Sequence, residues 1–373
     1  MFFYIYWSEC VFFGNGGNAR FSKTSTGNIR VCETVSGFAM KPLVSVIIPT
    51  FNQRPDFLLS AVNSVLKQSF EDIELVVSDN HSDNRVADVL VGIDDKRVRL
   101  VSPPTHIPMI HHFAFAADQA KGEFLSFLAS DDWVYPDWLS LLLPELIANP
   151  QVSFGFGEIE NVHHQSLDKV RYVYREDGMT SGVFGADVML PIVARFDKTS
   201  GWMVGDVIRT DAYRECGGIL RDNLSYCADF ALAMRLMEVG DVLYVNKRVA
   251  KNRSWSPNDG KQGGSRLIDA ISDMNSLYEL LESNEVLMRK AHKDKAFIAR
   301  AKRAKGRLLC LQLLEEVSQR KLTTGETKLA AEGIRRIWSG YEIDFLLSLT
   351  LKPMPHALML VRPAALYFLQ NPE

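Results

Sequence analysis

The first half of the chain alternates between two kinds of hydrophobic pattern. Residues 44–49, VSVIIP, form a β-branched apolar run, as in a strand buried on both faces. PDFLLSAVNSVLKQS then places Leu58, Ala61, Val62, Val65 and Leu66 at helical spacing, with Pro55 and Asp56 suited to a first turn. IELVVSDN over 73–80 predicts a second strand, RVADVLVGI a helix, RVRLVSP a third strand, and MIHHFAFAADQAKGE a helix closing near Gly122. FLSFLA over 124–129 is the fourth strand. Alternation of this kind predicts an α/β fold whose mostly parallel sheet is flanked by helices.

The second half is less regular. PDWLSLLLPELIANP predicts a helix and VSFGFGEIENV a strand, and from there to about residue 200 the pattern is weak. Residues 200–219 suggest a loop, a strand and a short helix ended by Gly217 and Gly218; a helix from about Cys227 and a strand follow. NDGKQGGS marks a flexible linker near 260–264, beyond which the pattern becomes long amphipathic helices over 265–373. Residues 1–39 are first aromatic, then rich in Gly, Ser, Thr and Asn without pattern, while strong patterning begins directly after Met40. The expectation is a disordered lead or an extension upstream of a start at Met40, and then one α/β domain over 40–260 with halves 40–140 and 141–260.

Composition changes this picture little. Over 373 residues, 47% hydrophobic and 23% charged is ordinary globular usage, and a net charge of −3 exerts no overall pull on nucleic acid or anionic lipid. The five cysteines, at 10, 32, 216, 227 and 310, show no paired short spacing, which speaks against a disulfide framework or zinc site and fits a cytoplasmic protein. No stretch has the uninterrupted apolar length of a membrane span.

Chemistry concentrates at the strand ends. In open α/β sheets, ligands bind beyond the carboxyl ends of the strands. Here Thr50, Phe51 and Asn52 follow the first strand, Asp79, Asn80 and Asp83 the second, and Asp131 and Asp132 the fourth. Two adjacent carboxylates repel unless a positive group sits beside them, and Mg²⁺ or Mn²⁺ favours such oxygens together with substrate phosphates. The bland alternative is a helix N-cap. Asp79 can accept from a base or ribose hydroxyl, or simply form an Asx turn. PTFNQRPD is neither a dinucleotide fingerprint nor a P-loop, so a metal is the expected phosphate clamp.

VSVIIPTFNQRPDFLLSAVNSVLKQSFEDIELVVSDNHSDN and AKGEFLSFLASDDWVYPDWL resemble family 2 glycosyltransferases of the GT-A fold, closely over 44–139 and loosely to about 245. The resemblance implies a Rossmann-like nucleotide-binding half and an acceptor half. It implies that Pro49, Thr50, Phe51 and Asn52 line the nucleotide pocket, that Asp79 contacts base or ribose, and that His112 lies near the donor. Asp131 and Asp132 are implied to hold ribose and a diphosphate-bound Mn²⁺ or Mg²⁺, Asp132 being the favoured metal ligand because Ala129 stands where many members carry the first Asp. CADFALAMRL aligns Asp229 with the general base of an inverting transfer, Ala228 replacing the family's Glu. Weaker candidates are Trp202, Asp206 and Trp255 at the acceptor, and Arg253, within NRSWS, in a late loop over the donor phosphates.

The implied activity is transfer of a sugar from a nucleotide-diphosphate donor to a saccharide hydroxyl in surface polysaccharide assembly, with a lipid-linked acceptor as one option. The alternatives are an inactive saccharide- or partner-binding module, which Ala129 and Ala228 would suit, and a nucleotidyltransferase, which would want a Gly-rich phosphate loop. The basic stretch 289–307 reads as a solvated helix face, or as a surface for peripheral contact with the cytoplasmic face of a membrane. The apolar end, IDFLLSLTLKPMPHALMLVRPAALYFL, suits a membrane interface, docking on the catalytic domain, or dimerisation.

Overall fold

The computed structural model describes residues 21–23, 29–31, 41–163, 165–174, 178–194, 204–222, 224–254, 264–291, 296–318, 322–340, 344 and 347–348. The chain divides into two units, Met1–Lys41 and Pro42–Glu373. In the first, β1 (Phe21–Lys23) and β2 (Ile29–Val31) pair antiparallel.

The second unit opens as the hydrophobic pattern predicts. β3 (Val44–Thr50), α1 (Pro55–Leu66), β4 (Ile73–Asp79), α2 (Val86–Val89), β5 (Val98–Val101), α3 (Met109–Asp118) and β6 (Phe124–Phe127) follow one another. These four strands are all parallel, in the order β6-β3-β4-β5. Helix α2 spans four residues rather than nine: Arg85 enters it with φ 38° and Gly92 follows closely. Helix α3 stops short of Gly122, where a Cβ would lie 2.5 Å from both the Phe124 carbonyl oxygen and the Ser45 nitrogen, so only glycine lets the chain pass so close to β3.

The remaining strands make the sheet mixed. They are β7 (Trp133–Val134), then after α4 (Trp138–Ala148) β8 (Val152–His163), β9 (Ser166–Tyr174) and β10 (Gly182–Phe184), and after α5 (Ala186–Val193) β11 (Val207–Arg209). Helices α6 (Thr210–Glu215) and α7 (Ala228–Val239) precede β12 (Asp241–Ser254). The order is β10-β12-β8-β11-β6-β3-β4-β5, with β7 beside β12 and β9 beside β8. Strand β11 runs antiparallel to both neighbours, β6 and β8, while β12 runs parallel to β8. Strands β9 and β10 and helix α5 fall where the sequence pattern was weak. NRSWS is not wholly a loop: Asn252, Arg253 and Ser254 continue β12, paired with β8 as far as Ser254↔His163.

Each face of the sheet carries a core. Val44, Val46 and Ile48 pack with Leu58, Ala61 and Val62 of α1 and with Trp138 and Leu142 of α4. On the opposite face Ile47, Leu125, Phe127 and Ile208 join α3, α5 and α7. That second core continues into α8 (Gly264–Ser283), α9 (Glu285–Lys290), α10 (Ala296–Ser318) and α11 (Thr324–Ile337), through Leu277, Tyr278, Leu313 and Ile334. Each fully buried side chain of this size contributes about 1.5–3 kcal/mol. The basic stretch is part core and part surface: Phe297 and Ile298 are buried, while Lys302 pairs with Glu282 at 2.6 Å. Among the described residues no helix is long and apolar enough to cross a membrane. The apolar C-terminal segment lies almost wholly outside the described residues.

Helix α8 caps the turn that leads into α7. One Asp273 oxygen accepts from the backbone N–H groups of Ser225, Tyr226 and Cys227 at 2.9, 2.6 and 3.3 Å. Cys227, the α7 N-cap residue, makes no side-chain cap bond, and Asp273 fixes the turn that leads into the helix, not the N–H groups of its first turn. Asp273→Ala is expected to destabilise the protein by about 1.5–3 kcal/mol, measured by denaturant melts against wild type; an unchanged midpoint would show that the cap carries no net energy.

Candidate active site

The carboxyl ends of β3, β4 and β6 are stitched into one rim. Asn52 stands at φ 49°, a conformation Asn tolerates better than most residues. Its backbone N–H donates to Ser82 Oγ (2.9 Å) and its amide exchanges bonds with Asp83, Nδ2 donating to Oδ2 (3.1 Å) and Oδ1 accepting from the Asp83 N–H (2.7 Å). Asn84 Nδ2 donates to the Gln53 carbonyl (2.7 Å), and Gln53 Nε2 donates to Ser130 Oγ (3.2 Å) beyond β6. Three loops that are 30 to 77 residues apart in sequence are thus held by side chains at one edge.

On this rim Phe51 is 49% exposed, its ring tilted against His106 at 4.7 Å, which leaves a face available for a flat ligand. Asp79 is half-buried and uses Oδ1 for an Asx turn to the Ser82 N–H (2.9 Å). Pro49 and Thr50 are buried, and Thr50 Oγ1 has no hydrogen-bond partner. His112 is 3% exposed, with Nε2 2.8 Å from Ser78 Oγ; burial lowers its pKa to about 4, against the opposing pull of Asp79, so the ring is neutral. It therefore lies beneath the rim and braces β4 rather than standing on the surface.

Asp131 and Asp132 differ in their surroundings. Asp132 is 1% exposed: Oδ1 accepts from the Arg253 N–H (2.8 Å) and Oδ2 from Asn252 Nδ2 (3.2 Å), and Asn161 Nδ2 donates in turn to Asn252 Oδ1 (3.2 Å). It thus anchors β12 and does not cap a helix; the N-cap of α4 is Asp137. Burial, and then the charge of half-buried Asp131, push the Asp132 pKa well above the usual carboxylate range. Arg253 is buried, its Nε donating to the Asp131 carbonyl (2.5 Å) and its guanidinium lying 4.1 Å from the Phe57 ring centroid. It is neither a solvated arginine nor part of a loose loop.

The pair fits a hard dication. Each carboxylate oxygen has two acceptor directions, so the bonds to β12 leave one on each Asp132 oxygen. A cation would relieve both the desolvation and the repulsion. Among the described residues no group of three or more His, Cys, Asp or Glu gathers as a metal cluster, so this pair is a two-carboxylate site at most.

Two further acids, Asp229 and Asp206, lie on the α7 side, where the charge of the first is felt by the second. Asp229 lies in the first turn of α7 but is not its N-cap; its Oδ1 accepts from the Phe230 N–H (2.9 Å), and burial raises its pKa to about 6. Asp206, just before β11, is 3% exposed, and burial and then the Asp229 charge push its pKa far above the ordinary range. Arg235 takes no part here and pairs with Asp222 (2.7 Å) and Glu238 (2.5 Å). Trp202 and Trp255 lie outside the described residues. The amide relay Asn161–Asn252 and the cap Asp273 carry no sequence signal, since each acts on residues 46 to 120 positions away.

Residues 45–177 match the family described as Glycosyl transferase family 2. An uncharacterized glycosyltransferase of Haemophilus influenzae is 30% identical over 125 residues, 32% of this chain and 50% of that protein. The GalNAc(5)-diNAcBac-PP-undecaprenol beta-1,3-glucosyltransferase of Campylobacter jejuni is 34% identical over 119 residues, covering 31% and 38%. The UDP-Glc:alpha-D-GlcNAc-diphosphoundecaprenol beta-1,3-glucosyltransferase WfgD of Escherichia coli is 28% identical over 125 residues, covering 34% and 49%. The chain thus spans half or less of these relatives. The crystal structure of S. aureus TarS 1-349 superposes with a TM-score of 0.55 over 85% of this chain and 87% of that one, at 19% identity, and shares the fold. Its strand-end motifs and these matches place residues 45–177 with glycosyl transferase family 2, and the sheet as a whole has the TarS fold.

Proposed function

We propose that this protein is an inverting glycosyltransferase that moves a sugar from a nucleotide-diphosphate donor to a hydroxyl of a saccharide acceptor in surface polysaccharide assembly. The observation that carries this reading is the stitched rim, along which Phe51, Asp79 and Asp131 lie, with Asp132 buried next to Asp131. Phe51 offers the base a platform and Asp79 accepts from base or ribose. Asp131 and Asp132 would hold Mn²⁺ or Mg²⁺, which when bound neutralises charge on the departing diphosphate. Asp229 takes the proton of the acceptor hydroxyl. The acceptor oxygen bonds to the anomeric carbon from the face opposite the phosphate, the bond from that carbon to the phosphate oxygen breaks, and its electron pair leaves with the nucleotide.

Two relatives are named for undecaprenol-linked sugars, and TarS has been crystallised with UDP-GlcNAc. By analogy the acceptor here is a lipid-linked saccharide, met at the cytoplasmic face of a membrane.

The test is thermal melting of the full chain with UDP-, GDP- and dTDP-sugars, with and without Mn²⁺, together with nucleotide release. Stabilisation by one nucleotide family that requires Mn²⁺, with release of that nucleotide, is the expected result. Stabilisation without release would favour the inactive binding module, and no response to any nucleotide would overturn the reading.

A further inference from the structure

The resemblance offers Asp206 only as a weak acceptor candidate with no stated chemistry, and its surroundings are unusual for an aspartate. Strand β11 pairs Ile208 with Leu125 of β6 and with Phe154 of β8. Two residues earlier, Asp206 is therefore level with Phe127, at the same carboxyl edge of β6 that leads to Asp131 and Asp132. Side chains alternate along a strand, so Asp206 shares the face of Ile208, whose core includes Ala228 and Phe230 on either side of Asp229.

The backbone at this point is fixed. Gly205 has φ +76°, and a Cβ there would lie 2.8 Å from that of Ala250. Its carbonyl accepts from Trp138 Nε1 at 2.8 Å. Asp206 is thus delivered to one place by a fully buried tryptophan and a close crossing of β12.

Its carboxyl is 3% exposed and Oδ1 has no hydrogen-bond partner. Among the described residues the ionisable group whose charge acts on it is Asp229, which is also acidic, and only its own backbone N–H acts in the other direction. An ionised carboxylate buried with an open oxygen beside a like charge is the most costly state available, and a protonated one is far cheaper. Buried polar atoms without partners are rare in folded proteins and ask for a reason. A ligand that brings its own acceptor is such a reason.

We propose that Asp206 works as a neutral carboxylic acid that donates a hydrogen bond to a hydroxyl oxygen of the acceptor saccharide, holding it against the ionised Asp229. The two acids then divide the work: one carboxylate accepts the proton and one carboxyl orients the group that gives it up. This rests on the glycosyl-transfer reading for the identity of the ligand, but not for the state of the carboxyl.

Two measurements separate these. Infrared difference spectra of wild type minus Asp206→Asn, taken at slightly alkaline pH, are expected to show the carbonyl stretch of a protonated carboxylic acid that the variant lacks. Absence of that band overturns the proposal whatever the activity. Transfer from UDP-GlcNAc and UDP-glucose is then followed with octyl β-glucoside and octyl β-N-acetylglucosaminide as acceptor probes, beside nucleotide release to water. Asp206→Asn keeps a neutral donor of the same shape and is expected to retain kcat/KM for the acceptor within about 3-fold. Asp206→Leu is expected to lose about 10- to 100-fold in acceptor kcat/KM, the scale of one buried hydrogen bond lost to an unpaired group, while the donor KM stays unchanged. An Asp206→Asn variant as inactive as Asp229→Asn would mean that the ionised form is needed, and full acceptor transfer by Asp206→Leu would mean that no contact exists; either overturns the proposal. Wild type that releases no nucleotide from any of the UDP-, GDP- and dTDP-sugars refutes glycosyl transfer instead, and the infrared band still decides the state of Asp206.

Discussion

Asp229→Asn is expected to lower the transfer rate by about 10²–10⁴-fold, the scale of a lost general base, and at the same time to raise the melting temperature near neutral pH. Both effects have one cause. Burial lifts the Asp229 pKa from 3.8 to about 6, so the folded protein holds this proton more tightly than the unfolded chain does. A raised carboxyl pKa contributes stability that is fully present below pH 3.8 and is lost as pH rises through about 6. Above that, the folded state carries an ionised group it solvates poorly, and an amide removes the cost while still accepting from the Phe230 N–H. The same titration predicts that wild-type kcat/KM falls below pH 6, where the base is protonated. A rate profile flat through this window, or a variant that melts lower at neutral pH, would remove Asp229 from the role of base.

Asp132→Ala is expected to be the most damaging change at the donor edge, and for two separable reasons. It strands the Arg253 N–H, a buried donor worth about 1–3 kcal/mol when left unpaired, and the half-buried Asn252 amide, which water can partly serve. It also removes half of the carboxylate pair. Asp132→Asn tells the two apart. Its carbonyl oxygen still accepts from the Arg253 N–H, and its new Nδ2 can donate to Asn252 Oδ1 once the Asn252 and Asn161 amides turn over, Asn161 Oδ1 being otherwise unpartnered, so folding is largely kept, while a neutral amide is a poor ligand for a hard dication. The expected pattern is a large drop in melting temperature for the alanine variant and a small one for the asparagine variant, with Mn²⁺-dependent donor stabilisation lost in both. Donor stabilisation that survives in Asp132→Asn would assign the metal to Asp131 alone.

Legibility in the sequence followed burial. Strands β3, β4, β5 and β6 read clearly, three of them as apolar runs, and the residues just past β3, β4 and β6 could be picked out because the chain turns polar where the sheet ends. What could not be read is whatever depends on a partner far along the chain. Asp132 and Asn252 meet across 120 residues, so the pair of acids looked like a metal site or a helix cap and gave no sign of anchoring β12. Asp206 could be read only as a weak acceptor candidate in a loop, and it is β11 that sets it level with Phe127. Strand β11 has three residues, too few to show a period, and β9 is an edge strand whose middle is exposed, so neither carries a continuous apolar run. His112 sat in a helical pattern, and only the fold turns it inward to Ser78.

The position of β11 bears on how the chain can be assembled. This short strand lies between β6 and β8, yet it is made some fifty residues after β8 begins, and β12 must follow before β8 is covered on its other side. Until then two long-range pairings are missing: β6 has a bare edge, and β8 is covered only by β9 over Ile159–His163, which leaves both open to pairing with another chain. The residues that match the family, 45–177, end before β11. Cut out as a fragment, they would carry the donor motifs but two unsealed edges, so the family region marks kinship, not a unit able to fold by itself.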